Sequence, residues 1–465
     1  MNHPPQAWLP DLVFAGRTFR DNVAINVNGA GKVASLGAAS QSEDEVRLTN
    51  RALLPGLVNA HSHAFQRVIR GRTEHRTSNV SDSFWTWREM MYSAATRLTP
   101  EDLYDASRMA FMEMALSGIT TVGEFHYLHN QPDGSAYDDP NLLAKQVLQA
   151  AKDVGLRIAL LRVAYERAGY QLPSNPQQAR FIEASSDHYL KNLEQLKNDL
   201  AADSGAAWIG IAPHSVRAVS LDYLRAIVNF GNPQQLPIHM HVAEQPAEVS
   251  ACIEEHGRSP VALLHSEGLL CERFTGVHVI HITAKAARMI GEAGAMVCAC
   301  PTTERNLGDG VVPMDLLLAE KVAVSLGTDS QTQIDLLEDA RELEYHLRLQ
   351  KLERAVLSEP DEQDQTTLAT RLLECATVNG ARSLGMQTEL LSPEAPADFF
   401  TVDLQDASIA GANRETLLST IVFSMSKSAV KDVVVGGKRI VENGRHFAQE
   451  EITMKFAALQ HRLWS

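Results

Sequence analysis

Little in the sequence points to secretion, to a membrane or to a nucleic-acid partner. Five cysteines (Cys252, Cys271, Cys298, Cys300 and Cys375) in 465 residues are few, odd in number and set mostly in apolar segments. They read as reduced, buried thiols rather than a disulfide framework. Cys298 and Cys300 share a face of one apolar run, and with no second cysteine pair or nearby histidine they read as buried strand residues. No stretch approaches the roughly 20 apolar residues needed to cross a bilayer. Met1 to Gly16 has no basic region followed by an apolar run and a small-residue cleavage site, so a cytoplasmic location is expected. Basic clusters are missing too. The formal net charge is −15, from 42 basic and 57 acidic residues, which disfavours nucleic acid and anionic membranes as partners. No repeat of fixed short period and no low-complexity tract occurs. The acidic stretch Ser358–Thr367 reads as a solvated loop.

What is present is a large apolar fraction, 45% against 21% charged residues, and a recurring order: a short apolar run, then a helical pattern. The runs are Leu57–His63, Ile119–His126, Leu156–Val163, Trp208–Ser215, Pro237–Ala243, Gly276–Ile282, Ala295–Pro301 and Val322–Asp329. Between them, Leu142–Val154, Tyr189–Leu200 and Leu336–Leu352 carry apolar residues at i, i+3, i+4 spacing. Eight such alternations predict an α/β fold, a (β/α)₈ TIM-like barrel. An open doubly wound sheet is the alternative, but no Gly-rich turn follows the first run. The flanks differ. Short β-like runs occur at Asn22–Val27, Val33–Leu36 and Val46–Leu48, and again at Asp398–Leu404, Val433–Val435 and Arg439–Val441. The Gly436-Gly437 pair suits a tight hairpin turn. We therefore expect a small β-sandwich domain built from both termini: residues 1–53, then the barrel over 54–392, then 393–465 with a C-terminal helix.

Chemistry concentrates at the C-terminal ends of the runs, where barrel active sites sit. The first ends in Asn59-Ala60-His61-Ser62-His63, whose imidazoles share one face because residues two apart in a strand point the same way. The fifth supplies His239-Met240-His241-Val242-Ala243-Glu244, the sixth His278-Val279-Ile280-His281, and the eighth Gly327-Thr328-Asp329-Ser330. Imidazole and carboxylate ligands from separate strand ends suit Zn²⁺, although the same donors accept Fe, Mn or Co.

In that order these motifs, with Leu54-Pro55-Gly56-Leu57 before the first, resemble the amidohydrolase superfamily and, within it, the mononuclear deaminase branch. The resemblance implies one metal held by His61, His63, His241 and Asp329, with Glu244 as proton shuttle and the first histidine of the sixth run, His278, acting beside the metal with Asp329. His239 shares a face with His241; the three-residue spacing to Glu244 favours His241 as the ligand and makes His239 a supporting residue. His281 is the competitor of His278. The fourth run ends in Pro213-His214, with no lysine placed to bridge a second metal.

Longer blocks narrow the resemblance. His61-Ser62-His63-Ala64-Phe65-Gln66-Arg67, Asp82-Ser83-Phe84-Trp85-Thr86-Trp87-Arg88, Gly123-Glu124-Phe125-His126-Tyr127, Cys300-Pro301-Thr302-Thr303-Glu304 and Asn306-Leu307-Gly308-Asp309-Gly310 are similar to the formimidoylglutamate deiminase family of bacterial histidine degradation. Arg305 and the Val279-Ile280 pair depart from its usual pattern. The resemblance implies a small-molecule dicarboxylate substrate, held by Arg88 (in an aromatic loop after the first strand), Tyr127, His214 and Arg217, with Gln66 near the formimidoyl end. Physical chemistry agrees: an acidic protein that binds a dianion needs guanidinium forks. Barrels of this kind often dimerise, so a homodimer is expected. Two other readings compete. A deaminase or chlorohydrolase of the same branch acting on a purine, pterin or triazine would want ring-stacking contacts instead of two arginines. A non-catalytic barrel would have lost metal ligands, and this chain keeps all four.

Overall fold

The computed structural model describes residues 6–38, 45–76, 83–183, 185–201, 205–358, 366–386 and 390–465. Asp82 and residues 359–365 of the acidic stretch lie outside them. The eight apolar runs form eight parallel strands: β1 (Leu57–Ser62), β2 (Ile119–His126), β3 (Arg157–Ala164), β4 (Ala207–Pro213), β5 (Ile238–Val242), β6 (Phe274–His278), β7 (Met296–Ala299) and β8 (Val324–Leu326). Each pairs with its sequence neighbour in one eight-stranded sheet. The last gap is closed by a parallel bridge between Ser62 and Asp329. Two backbone hydrogen bonds flank it: Asp329 N–H to His61 O at 3.1 Å and His63 N–H to Asp329 O at 3.0 Å. The barrel is thus sealed through the residues that carry the chemistry. Every residue of β2 and of β5 is buried, as expected of strands covered on both faces.

The helices follow the 3.6-residue period. Leu142–Val154 buries Leu143, Ala144, Val147, Leu148, Ala151 and Val154 on one stripe, and Gly155 ends it in the left-handed region with φ 94°. One expected loop is a helix. Phe84–Arg97 carries Arg88, and a Ser83/Thr86 capping box starts it. That reciprocal bonding outweighs the two bulky tryptophans in the first turn. The sixth strand also differs, ending at His278 rather than running to Ile282. His278 and Val279 both take left-handed backbone, φ 70° and 55°, and that turns the chain out of the sheet.

The terminal segments build a second, nine-stranded mixed sheet. Its centre is Glu45–Pro55, paired in parallel with Gln6–Ala15 and antiparallel with Phe399–Asp403. Gly436 and Gly437 both have positive φ, 55° and 77°, in the turn between Val430–Val435 and Lys438–Glu442. Trp8, Ile25, Leu53, Phe399 and Val434 form a core of this sheet, with the Trp8 and Phe399 rings edge-on at 5.3 Å. Strand Gln6–Ala15 is invisible to period-2 reading because Pro10 interrupts it. Its parallel register with Glu45–Pro55 shifts between Pro10 and Leu12. From Pro55 the chain passes through Gly56 directly into β1. A Cβ on Gly56 would lie 2.2 Å from Thr120 Oγ1, so only glycine lets the two sheets join so closely. All five cysteines are free thiols. Among the described residues no helix is long and apolar enough to cross a membrane.

Candidate metal centre and binding pocket

β1 carries His61 near its end and His63 follows directly after it, β5 contributes His241, and the turn after β8 contributes Asp329. One ligand atom from each lies within 4.8 Å of all the others, and all four residues are buried. His61 Nε2 is 3.2 Å from His63 Nε2 and 3.3 Å from His241 Nε2. Asp329 Oδ1 is 3.3 Å from His63 Nε2 and 3.5 Å from His61 Nε2. Gly327 makes the approach possible, since a Cβ there would meet His61 Cβ at 2.7 Å.

The hydrogen bonds settle which way the lone pairs face. His63 Nδ1 donates to Phe125 O at 3.0 Å, and His241 Nδ1 donates to His214 O at 3.1 Å. Each Nε2 is then an acceptor aimed inward. Burial lowers all three histidines, His61 to about 3, so they stand as neutral imidazoles. Burial alone would raise Asp329, but the surrounding imidazoles, the raised His278 among them, hold its carboxyl well below the usual range. The lone pairs of His63 and His241, with His61 Nε2 and a carboxylate crowded against them in a buried space, favour a cation between them. Their spacing matches the roughly 3.3–3.6 Å between ligands of a tetrahedral ion bound at about 2.0–2.2 Å. The donor set fits a divalent metal.

Beside this centre, Glu244 and His278 face each other, Glu244 Oε1 lying 3.8 Å from His278 Nε2, which is also 3.8 Å from Asp329 Oδ2. Burial pushes the Glu244 carboxyl up to about 7. Burial opposes charge on His278, but Glu244, Glu304 and Asp329 overcome it and raise the imidazole well above its ordinary value. His278 Nδ1 is 3.1 Å from Glu304 Oε1, which also accepts from Cys300 N–H at 2.8 Å. His281 points elsewhere, with Nε2 3.0 Å from Asp309 O. His239 is spent elsewhere, with Nε2 2.8 Å from Ser383 O. Glu124 braces the first ligand pair: it accepts from Ser62 Oγ at 2.6 Å and Ala64 N–H at 2.7 Å, and burial raises it to about 8.

The remaining expected residues line one cavity with His63, His241, Glu244, His278 and Asp329. Gln66, Arg88, Tyr127, His214 and Arg217 all reach it. Gln66 Nε2 donates to Tyr127 Oη at 2.9 Å. The His214 ring lies 4.9 Å from His241 and 4.6 Å from Tyr165. The Arg88 guanidinium lies 4.4 Å from the centre of the Trp85 ring. Arg88 Nε and Nη1 and Arg217 Nη1 are buried with no hydrogen-bond partner among the described residues. Sequence reading missed four neighbours. Glu304 and Glu124 fall inside quoted motifs but reveal a role only through their contacts, and Tyr92 and Tyr165 carry no local signal at all.

This chain belongs to the amidohydrolase family, whose model matches residues 52–440; it is a metal-dependent deaminase-type hydrolase of carbon–nitrogen bonds. It is 35% identical over 436 residues, 94% of each chain, to formimidoylglutamate deiminase of Pseudomonas aeruginosa. It is 28% identical to the 5-methylthioadenosine/S-adenosylhomocysteine deaminase of Syntrophomonas wolfei, over 87% of this chain and 85% of that one. Among solved structures, an amidohydrolase from Brucella melitensis superposes with a TM-score of 0.91 at 31% identity, covering 99% of this chain and 100% of that one.

Proposed function

We propose that this protein hydrolyses N-formimidoyl-L-glutamate to N-formyl-L-glutamate and ammonia, with one zinc ion per chain. The observation that carries the reading is the pair Arg88 and Arg217. Two guanidinium groups share a pocket with the metal ligands, and neither has a carboxylate partner among the described residues. Buried donors without partners cost free energy, and a dicarboxylate substrate supplies the missing acceptors. The likeness to the P. aeruginosa enzyme supports the same substrate. A cytoplasmic location is supported by the free cysteines.

In this reading His61, His63, His241 and Asp329 hold the zinc. When bound, it supplies Lewis-acid chemistry, lowering the pKa of a water from 15.7 toward about 7. The protein's own groups do the rest. Asp329 Oδ2 accepts a hydrogen bond from the attacking water and sets its direction. Arg88, Arg217, His214 and Tyr127 hold the glutamate carboxylates, and Gln66 lies near the formimidoyl group, so the reacting carbon faces that water. His278 holds the negative charge that develops as the carbon becomes tetrahedral. Glu244, with a carboxyl near neutrality in its burial, takes the water's proton. It gives that proton to the terminal nitrogen, then takes the proton of the new hydroxyl and passes it to the same nitrogen, which departs as ammonia while the carbon–oxygen double bond forms. A group that must act as base and then as acid works best with a pKa near the working pH.

Ammonia release from N-formimidoyl-L-glutamate, guanine and 5′-methylthioadenosine, measured side by side, tests the assignment. The diacid should be turned over at least a hundredfold faster than either purine compound. A preference for a purine would replace this reading with that of a ring deaminase.

A further inference from the structure

Three buried side chains at the arginine end of the pocket have no part in the mechanism above. Tyr92, on the helix Phe84–Arg97, and Tyr165, just past β3, line the same cavity as Arg88 and Arg217. Each is only 2% exposed. Between them lies Gln178, 1% exposed, in the short turn Pro176–Gln178. The Gln178 amide nitrogen donates to Tyr92 Oη at 2.7 Å and to Tyr165 Oη at 2.8 Å. The segment that carries Gln178 is pinned to the barrel where Arg162 of β3 grips both oxygens of Glu183, at 2.5 and 3.0 Å.

A phenol oxygen that accepts from an amide keeps its own proton to give elsewhere. Neither hydroxyl donates to protein among the described residues, and burial pushes Tyr92 toward staying protonated. The amide has therefore spent its two protons so that two phenol protons remain available to the cavity. Beside them stand guanidinium groups, which are donors only. Gln178 Oε1 is buried without a partner among the described residues, while the protons of the two phenols and of the guanidinium groups are left to the cavity.

We propose that Tyr92, Tyr165 and Gln178 extend the arginine pair into a subsite that distinguishes a carboxylate from a carboxamide on the substrate. A carboxylate offers two oxygens with about four lone-pair sites and no proton, which matches a wall rich in donors. A carboxamide presents an NH₂ group to guanidinium groups that cannot accept from it and to phenol oxygens already engaged by Gln178, leaving buried groups unpaired, and sites built on hydrogen bonding discriminate strongly on that ground. Gln178 is the positioning residue. It touches no substrate, but it decides which way both phenol protons point. An acceptor in its place would draw those protons away from the cavity.

The inference rests on the dicarboxylate reading above, and one experiment separates the two. kcat/KM is measured for N-formimidoyl-L-glutamate and for its two monoamides, N-formimidoyl-L-glutamine and N-formimidoyl-L-isoglutamine. The wild-type protein is compared with Tyr92→Phe, Tyr165→Phe and Gln178→Glu. The preference for the diacid over one of the amides should fall about tenfold in each phenylalanine variant, through KM rather than kcat, and further in Gln178→Glu. General damage to the fold would lower all three substrates together and leave the ratio unchanged. An unchanged ratio in both phenylalanine variants overturns the inference and leaves the enzyme assignment standing. A wild-type protein that does not turn over the diacid overturns the assignment itself, and the inference with it.

Discussion

Glu244→Gln should retain a full complement of metal and lose turnover by about 10²–10⁴-fold, the usual worth of a positioned general acid–base. Glu244 lies 3.8 Å from His278 Nε2, in the cavity lined by three of the four candidate ligands, His63, His241 and Asp329, yet it is not one of the four. The amide fills the same volume, so the ligand geometry and the pocket walls should persist. It cannot take a proton from water, and it cannot protonate the departing nitrogen. Metal content by atomic spectrometry and steady-state ammonia release check the two halves separately. A variant with near-normal rate would remove Glu244 from the proton pathway, and a variant without metal would make it a structural residue.

Arg217→Ala and Arg88→Ala should each lower kcat/KM for the diacid by about 2–5 kcal/mol, roughly thirtyfold to several thousandfold, with metal content unchanged. Each truncation leaves a substrate carboxylate in a dehydrated pocket with one fork fewer. Arg217 has a buried Nη1 with no protein partner, and Arg88 has two such nitrogens. Neither side chain is tied into a protein ion pair among the described residues, so the loss should be read in substrate use and not in stability. Replacement by lysine should recover only part of it, because an ammonium cannot reproduce the bidentate fork. Wild-type kcat/KM in both alanine variants would discredit a dicarboxylate substrate.

The barrel and the cluster of His61, His63, His241 and Asp329 were legible because both depend on local pattern. β2 appears at Ile119–His126, the bounds its apolar run suggests, since a strand buried on both faces is apolar throughout. His61 and His63 share a face by the period of a strand. The strand that sequence reading passed over, Gln6–Ala15, contains Pro10 and owes its existence to pairing with Glu45–Pro55 some forty residues away. The sixth strand stops short at His278 because its backbone turns left-handed there, and no pattern in His-Val-Ile-His announces that. The turn also separates the two histidines: His278 faces Glu244 and Asp329, while His281 is spent on Asp309 O. Tyr92, Tyr165 and Gln178 were illegible for a different reason. Each is an ordinary residue in its own segment, and only the packing of a helix, a strand end and a turn makes them one hydrogen-bonded group.

Four side chains, from the ends of the first and fifth strands and the turn after the eighth, gather one cation on which hydrolysis depends. The direct measurement is to strip the protein with a chelator, restore zinc stepwise and follow ammonia release from N-formimidoyl-L-glutamate. Activity should be absent from the stripped protein, rise in proportion to zinc and saturate at one ion per chain. Full activity without metal, or saturation only at two ions, would contradict the account.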